Sequence, residues 1–252
     1  MNIKVLFSPL NADELFFSGK NTVVIDVLRS TTTIITALDN GAKEVLPVNS
    51  IEFAMKISVS AFGSLSLIAG ERNGIKIDGF NLGNSPLEFD EERVKGKSII
   101  LYTTNGTKAM VRAKFSSKLY VCSFANLSAV ARKVAEDNED LIILTSGSNG
   151  MFCLEDTVCA GMLIDEISAL TGKTFYSDSV IASCNLSAAY KGDLLKLLKE
   201  CEHGKTLIEK NFMQDLEFCS RINSSETVPV LVSGAIRKLL PENNLQDELV
   251  EI

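Results

Sequence analysis

Positive charge is scarce in this chain of 252 residues. Its 25 Lys and Arg face 32 Asp and Glu, a formal charge of −7, and the sequence pI is about 4.9. The basic patch or stripe that marks a nucleic-acid binder is therefore missing. An anionic small molecule would need locally concentrated cations to overcome the overall field. Long apolar runs are missing too: no stretch approaches the ~20 residues that span a bilayer, so a membrane is not an expected partner. The opening "MNIKVLFSPL" moves straight into a strand-like run and lacks the apolar core and small-residue cleavage site of a secretion signal. The six cysteines (Cys122, Cys153, Cys159, Cys184, Cys201, Cys219) form no CxxC pair and read as reduced thiols. Cytoplasm is the expected compartment.

The familiar phosphate motifs are also lacking. "TGKT" (171–174) and "HGKT" (203–206) look like P-loop endings, but the first glycine of that motif would fall on Ile167 and Lys199. A thiolate and an arginine closing one phosphate loop are not found. Asp26 is followed two positions later by Leu28, where an aspartyl-phosphate enzyme of the haloacid dehalogenase type wants a second aspartate. There is no Gly-x-Gly-x-x-Gly, no zinc spacing and no serine elbow.

What is present is an alternation. Short β-branched runs recur at 3–7, 22–27, 44–48, 65–70, 98–103, 119–122 and 141–145. Segments of helical period lie between several of them, such as "LSAVARKVAEDN" (127–138). This predicts an α/β protein with a mostly parallel or mixed sheet covered on both faces, a three-layer α/β/α arrangement. After residue 150 the pattern is mostly helical, with one strand-like "TVPVLVSG" (227–234) before a polar tail. No linker marks a boundary, so residues 1–252 read as one α/β domain, with two lobes around the active site as the alternative.

Ligands in such sheets gather where strands end and the chain turns into a helix, and three such crossings carry unusual chemistry. "VVIDVLRSTTTIITAL" (23–38) delivers Asp26 and Arg29, then Ser30, Thr31, Thr32 and Thr33. Five β-branched residues in a row, Thr31 to Ile35, are poor helix formers, and one hydroxyl would suffice as a cap. Either the extra threonines merely pack, or the helix start is an anion site reinforced by the Arg29 fork. Asp26 would repel an anion unless a cation lay between them. "SIILYTTNGTKAM" (98–110) repeats the theme with Thr103, Thr104, Asn105, Gly106 and Thr107, although Asn-Gly alone signals only a turn. "LIILTSGSNGMFCLEDTVCAG" (141–161) places Glu155 and Asp156 near a helix start, where they complement the dipole or, with Asp26, supply the hard oxygens Mg²⁺ prefers. The glycine-rich stretch at 70–89 adds Glu71 and Arg72, a second acid-and-arginine pair. His203, the only histidine, precedes Gly204 and is expected at a helix C-terminus, as a favourable cation, a general acid or a phosphate contact.

The blocks "DVLRSTTTI" (26–34), "GERNG" (70–74), "GFNLGNSPLE" (79–88), "TTNGT" (103–107), "LEDTVCAG" (154–161), "HGKTL" (203–207) and "VPVLVSG" (228–234) run in order across nearly the whole chain. In these blocks the sequence resembles the 2-phosphosulfolactate phosphatases, the ComB family of coenzyme M biosynthesis. The resemblance implies a ComB-like α/β fold and a Mg²⁺-dependent phosphatase that converts 2-phospho-3-sulfolactate into 3-sulfolactate and phosphate. On that reading Asp26, Glu71 and Asp156 (or Glu155) hold Mg²⁺. Arg29, Arg72, Thr31, Thr32, Asn105, Gly106 and Thr107 bind the substrate oxygens. Asp26, Arg29 and His203 take part in catalysis. The expected partner is a small anionic phosphorylated acid, and a homodimer is allowed. A phosphatase of another small phosphorylated acid and a non-catalytic sensor are the alternatives.

Overall fold

The computed structural model describes residues 1–60 and 65–240. Among these residues ten strands build one sheet: β1 (Ile3–Leu6), β2 (Asn21–Ile25), β3 (Glu44–Val48), β4 (Ser66–Arg72), β5 (Ile75–Lys76), β6 (Ser98–Tyr102), β7 (Lys118–Cys122), β8 (Leu141–Thr145), β9 (Pro229–Val232) and β10 (Ala235–Lys238). The described helices are α1 (Ser30–Asp39), α2 (Ile51–Ser60), α3 (Glu91–Val94), α4 (Gly106–Arg112), α5 (Leu127–Asp137), α6 (Leu154–Thr171), α7 (Asp178–Tyr190), α8 (Leu194–Glu200), α9 (Glu202–Glu209) and α10 (Met213–Cys219). None is long and apolar enough to cross a membrane.

The sheet order is β1-β8-β2-β7-β9-β10-β3-β6-β4-β5. Two parallel blocks, β1-β8-β2-β7 and β3-β6-β4, are joined by the antiparallel hairpin β9–β10. Every residue of β2, β6 and β8 is buried, as strands covered on both faces require. One face of both blocks feeds a single hydrophobic cluster: Val24, Val121, Leu144, Val45, Ile99 and Ile236 pack with Ile34 and Leu38 of α1 and Met110 of α4. The opposite face of the first block packs Val23, Ile25, Tyr120 and Ile143 against Val130, Val158, Leu163 and Leu197 of the later helices. That of the second block packs Val48, Ile100 and Tyr102 on Ala54 of α2. This is the expected three-layer α/β/α arrangement.

Three successive antiparallel pairings, β7–β9, β9–β10 and β10–β3, leave the two blocks running in opposite senses. Yet their carboxyl ends meet. A twist of about 20–25° between neighbours accumulates to roughly 100–125° over the five intervals from β2 to β6, so nominally opposed strands no longer point to opposite edges.

Two expectations need correction. The apolar run 227–234 is not a lone closing strand: it forms β9 and turns at Ser233–Gly234 into β10, which lies between β9 and β3 in the middle of the sheet. The polar tail beyond residue 240 lies outside the described residues. His203 also does not end a helix. The amphipathic run breaks at Cys201, whose thiol accepts the Gly204 N–H and caps α9, so His203 sits in the first turn of α9. Gly204 is there for close packing, since a Cβ on it would lie 1.6 Å from the Leu198 carbonyl oxygen of α8.

Candidate active site

A cavity of about 380 Å³ lies where these crossings converge. Asp26, Arg29 and Ser30 reach it from the β2–α1 turn, and Glu71, Asn73 and Gly74 from the β4–β5 turn. Thr104 and Asn105 come from the β6–α4 turn, Ser148 and Asn149 from the β8–α6 loop, and Asn84 from the long loop after β5. Glu202, His203, Thr206 and Lys210 close it from α9 and the residue after it. Residues more than a hundred positions apart thus share one wall.

The start of α1 is not an open anion cradle. Asp26 Oδ1 accepts the Ser30 N–H at 3.3 Å, so the protein's own carboxylate occupies the position an anion would take. The threonines are spent on the backbone. Thr31 Oγ1 donates to the Asp26 carbonyl at 2.7 Å, Thr32 Oγ1 to the Val27 carbonyl at 3.0 Å and Thr33 Oγ1 to the Asn84 carbonyl at 2.8 Å. All three are fully buried. The hydroxyl-rich sequence therefore stitches a strand end to a helix and a distant loop, and Thr31 and Thr32 do not line the cavity. Ser30 Oγ donates to Thr103 Oγ1 at 2.9 Å, tying the first crossing to the second.

The second crossing is self-capped. The Thr103 N–H donates to Thr107 Oγ1 and the Thr107 N–H to Thr103 Oγ1, each at 3.0 Å, so Thr107 supports the turn rather than facing a ligand. Asn105 faces the cavity, and its Oδ1 accepts the Asn149 N–H at 3.1 Å. Gly106 permits a close approach: a Cβ there would stand 2.4 Å from Asp26 Oδ2 and 2.5 Å from Ser30 Cβ.

Four acids surround this junction in different states. Burial pushes the Asp26 carboxyl above its usual range; the nearby His203 and the Ser30 hydrogen bonds oppose this, and the charge of Glu71 adds to it. Glu71 locks two turns, accepting the Gly74 N–H at 2.6 Å and the Thr104 N–H at 2.7 Å. Asp156 stands behind the cavity wall. Its oxygens accept the Val27 N–H at 2.9 Å and the Ser146 hydroxyl at 3.0 Å, and burial first, then the charges of Asp26 and Glu155, hold its carboxyl well above the ordinary range. Glu155 lines a neighbouring cavity with Cys153 and Cys201 instead.

These placements bear on the expected metal set. Among the described residues, no group of three or more His, Cys, Asp or Glu side chains converges to cage an ion. Asp156 and Glu155 do not line the cavity; Asp26 and Glu71 do. Two carboxylates suit Mg²⁺, which keeps several waters and is completed by substrate phosphate oxygens rather than by an all-protein cage. The donor set fits the ion in that form.

Arg29 is held more firmly than its exposed counterparts. Its Nη1 donates to Asp215 Oδ2 at 2.6 Å and its Nη2 to the Gly74 carbonyl at 2.8 Å, and the guanidinium lies 4.4 Å from the centre of the Phe212 ring. Ser85 Oγ fixes the other Asp215 oxygen at 2.7 Å. Arg29 Nε, Asn84 Oδ1 and Thr104 Oγ1 are buried and have no partner among the described residues, and all three belong to residues that line the cavity. Buried polar atoms are paired as a rule, so three orphans in one cavity mark a place prepared for a polar ligand. Arg72 is exposed and does not line the cavity. Strand alternation turns it away once Glu71 points in.

Sequence reasoning passed over Asp215, Lys210, Thr206 and Glu202. In a helical segment, a charge facing a cavity is indistinguishable by spacing from one facing water. Asn73 and Gly74 lay within the quoted "GERNG" block, and that block was the available signal.

The model of the 2-phosphosulpholactate phosphatase family matches residues 10–234. A probable 2-phosphosulfolactate phosphatase of Caldanaerobacter subterraneus subsp. tengcongensis is 41% identical over 219 residues, 86% of this chain and 90% of the relative. That of Symbiobacterium thermophilum is 39% identical over 225 residues, covering 89% and 96% of the two chains. That of Clostridium acetobutylicum is 36% identical over 238 residues, covering 94% and 100%. With the strand-end cavity and a match along nearly its whole length, the chain belongs to the 2-phosphosulfolactate phosphatase family.

Proposed function

We propose that the protein is a Mg²⁺-dependent phosphoric monoester hydrolase that converts 2-phospho-3-sulfolactate into 3-sulfolactate and inorganic phosphate in the cytoplasm. The observation that carries this reading is the convergence of Asp26, Glu71 and Arg29 on one cavity with unpartnered polar atoms. The names of the relatives supply the substrate.

A phosphate, a sulfonate and a carboxylate on three carbons carry about four negative charges, which an acidic protein accepts only where cations are concentrated. Asp26 and Glu71 would hold Mg²⁺, which supplies charge neutralisation at the phosphoryl oxygens and a more acidic bound water. Arg29 presents a fixed cation that lines the cavity, and its buried Nε has no partner among the described residues. Because Asp215 and Phe212 hold it in place, little reorganisation is needed as charge develops in the transition state. Lys210, whose Nζ donates to the Asn73 carbonyl, adds a second positive group. His203, half-buried and lining the cavity, would give a proton to the leaving alkoxide oxygen as water attacks phosphorus in line.

The test is phosphate release from 2-phospho-3-sulfolactate by the purified chain, with and without Mg²⁺. We expect Mg²⁺-dependent turnover and a loss of at least about 100-fold in kcat for Asp26→Asn, with the fold retained by circular dichroism. Turnover by Asp26→Asn at the wild-type rate would remove Asp26 from the mechanism. Full activity in chelator would remove the metal.

A further inference from the structure

We infer that the smaller cavity beside the reacting centre is a second anion subsite, in which Lys108 and Arg112 take the sulfonate of the substrate. This rests on the phosphatase reading above. The cavity, about 300 Å³, adjoins the first, and Thr104, Asn105 and Asn149 line both.

The two cavities differ in charge. Acids and bases are mixed in the first, which Asp26, Glu71, Glu202, Arg29, His203 and Lys210 line, whereas Lys108 and Arg112 line the second and no carboxylate does. A sulfonate is permanently anionic, and in the first cavity it would stand beside carboxylates and compete with the phosphoryl group for Arg29 and Lys210. In the second it meets an ammonium and a guanidinium fork, the donors suited to a tetrahedral oxyanion.

Neither cation is explained by the fold. No side-chain hydrogen bond or ion pair joins Lys108 or Arg112 to any described residue. They stand four residues apart on one helix, where like charges disfavour the helix. The helix dipole favours Arg112 in the last turn but disfavours Lys108 in the first. Lys108 is exposed and Arg112 half-buried, and with no acid beside them they make a locally positive wall in a chain of net charge −7. Thr104 supplies an independent observation: its buried, unpartnered Oγ1 belongs to a residue of the wall both cavities share. A short acid with its phosphoryl group in the first cavity and its sulfonate in the second would satisfy both.

Two measurements on the full chain test this. Calorimetric titration with 3-sulfolactate should give an affinity lower by about ten-fold or more in the double variant Lys108→Ala/Arg112→Ala than in wild type. In kinetics, the ratio of kcat/KM for 2-phospho-3-sulfolactate to that for phospholactate, which lacks the sulfonate, should fall by a similar factor, mainly through KM. Neither side chain has a partner to lose, so the variant should melt with wild type. Equal affinity for 3-sulfolactate in the two proteins, or equal losses on both substrates, overturns the subsite, as does a wild type that fails to bind 3-sulfolactate. A wild type that binds 3-sulfolactate through this pair yet releases no phosphate would instead sink the phosphatase reading and leave the subsite standing.

Discussion

Asp156 illustrates what a buried carboxylate costs and why it is kept. It is 1% exposed and fastens the chain just after Asp26 to the turn after β8, but it does so beside two other acids. Its folded-state pKa is raised, so over a window above the ordinary carboxylate range the folded protein keeps a proton that the unfolded chain has lost. Stability from this group is therefore full below the unfolded pKa and falls as pH rises through the folded one. Asp26 contributes with the same sign. Asparagine at 156 would still accept the Val27 N–H without the charge. Asp156→Asn is expected to melt several degrees above wild type at about pH 8, at roughly 2–4 °C per kcal/mol, and to show little gain near pH 4. Thermal melts across that range check it; a uniform offset at every pH would remove the charge from the explanation. At this scale the sequence was informative about chemical type and silent about orientation. Asp26, Glu71, Arg29, Asn105 and His203 face the cavity, whereas Arg72, next in sequence to Glu71, does not.

The helices α1 and α4 are positioned by their first residues rather than by propensity. In α1 the β-branched start is offset by hydroxyl bonds to strand-end and loop carbonyls, so the sequence feature that suggested a ligand was a structural joint. Which acceptor a threonine finds depends on residues as far away as Asn84, and no local pattern encodes that. In α4 the first residue is Gly106, a poor helix former by about 1 kcal/mol relative to alanine. Its value is the space it leaves for Asp26 Oδ2. Gly106→Ala is expected to lower the melting temperature by several degrees, since the added Cβ also meets the buried Ser30 Cβ, and to lower kcat by about ten-fold or more through displacement of the carboxylate. Steady-state kinetics beside a thermal melt decide it, and wild-type turnover would show that the Asp26 position tolerates the shift. The break between α8 and α9 belongs here too. "HG" reads as a helix end, yet the glycine is there for contact with Leu198, which only the packed pair displays.

At the scale of the whole molecule, the hairpin β9–β10 couples the two parallel blocks. Ile236 is fully buried, pairs with Val45 across the junction and belongs to the cluster that α1 and α4 share. Truncating it should cost about 2–5 kcal/mol, so Ile236→Ala is expected to lower the melting temperature by about 10 °C. Near- and far-ultraviolet dichroism should report the loss in one transition; a change of less than about 2 °C would mean the blocks hold together without the hairpin. The class of fold was legible in the sequence, because buried β-branched runs alternating with amphipathic segments admit few arrangements. The chemically unusual turns were legible too, because acids, arginines and glycines at strand ends need no tertiary context to be noticed. The position of β10 in mid-sheet, the meeting of the carboxyl ends of two opposed blocks and the choice of side chains that face one another there emerge only in the folded chain. Those outcomes are set by contacts between residues tens to nearly two hundred positions apart, whose energies no local pattern of the chain records.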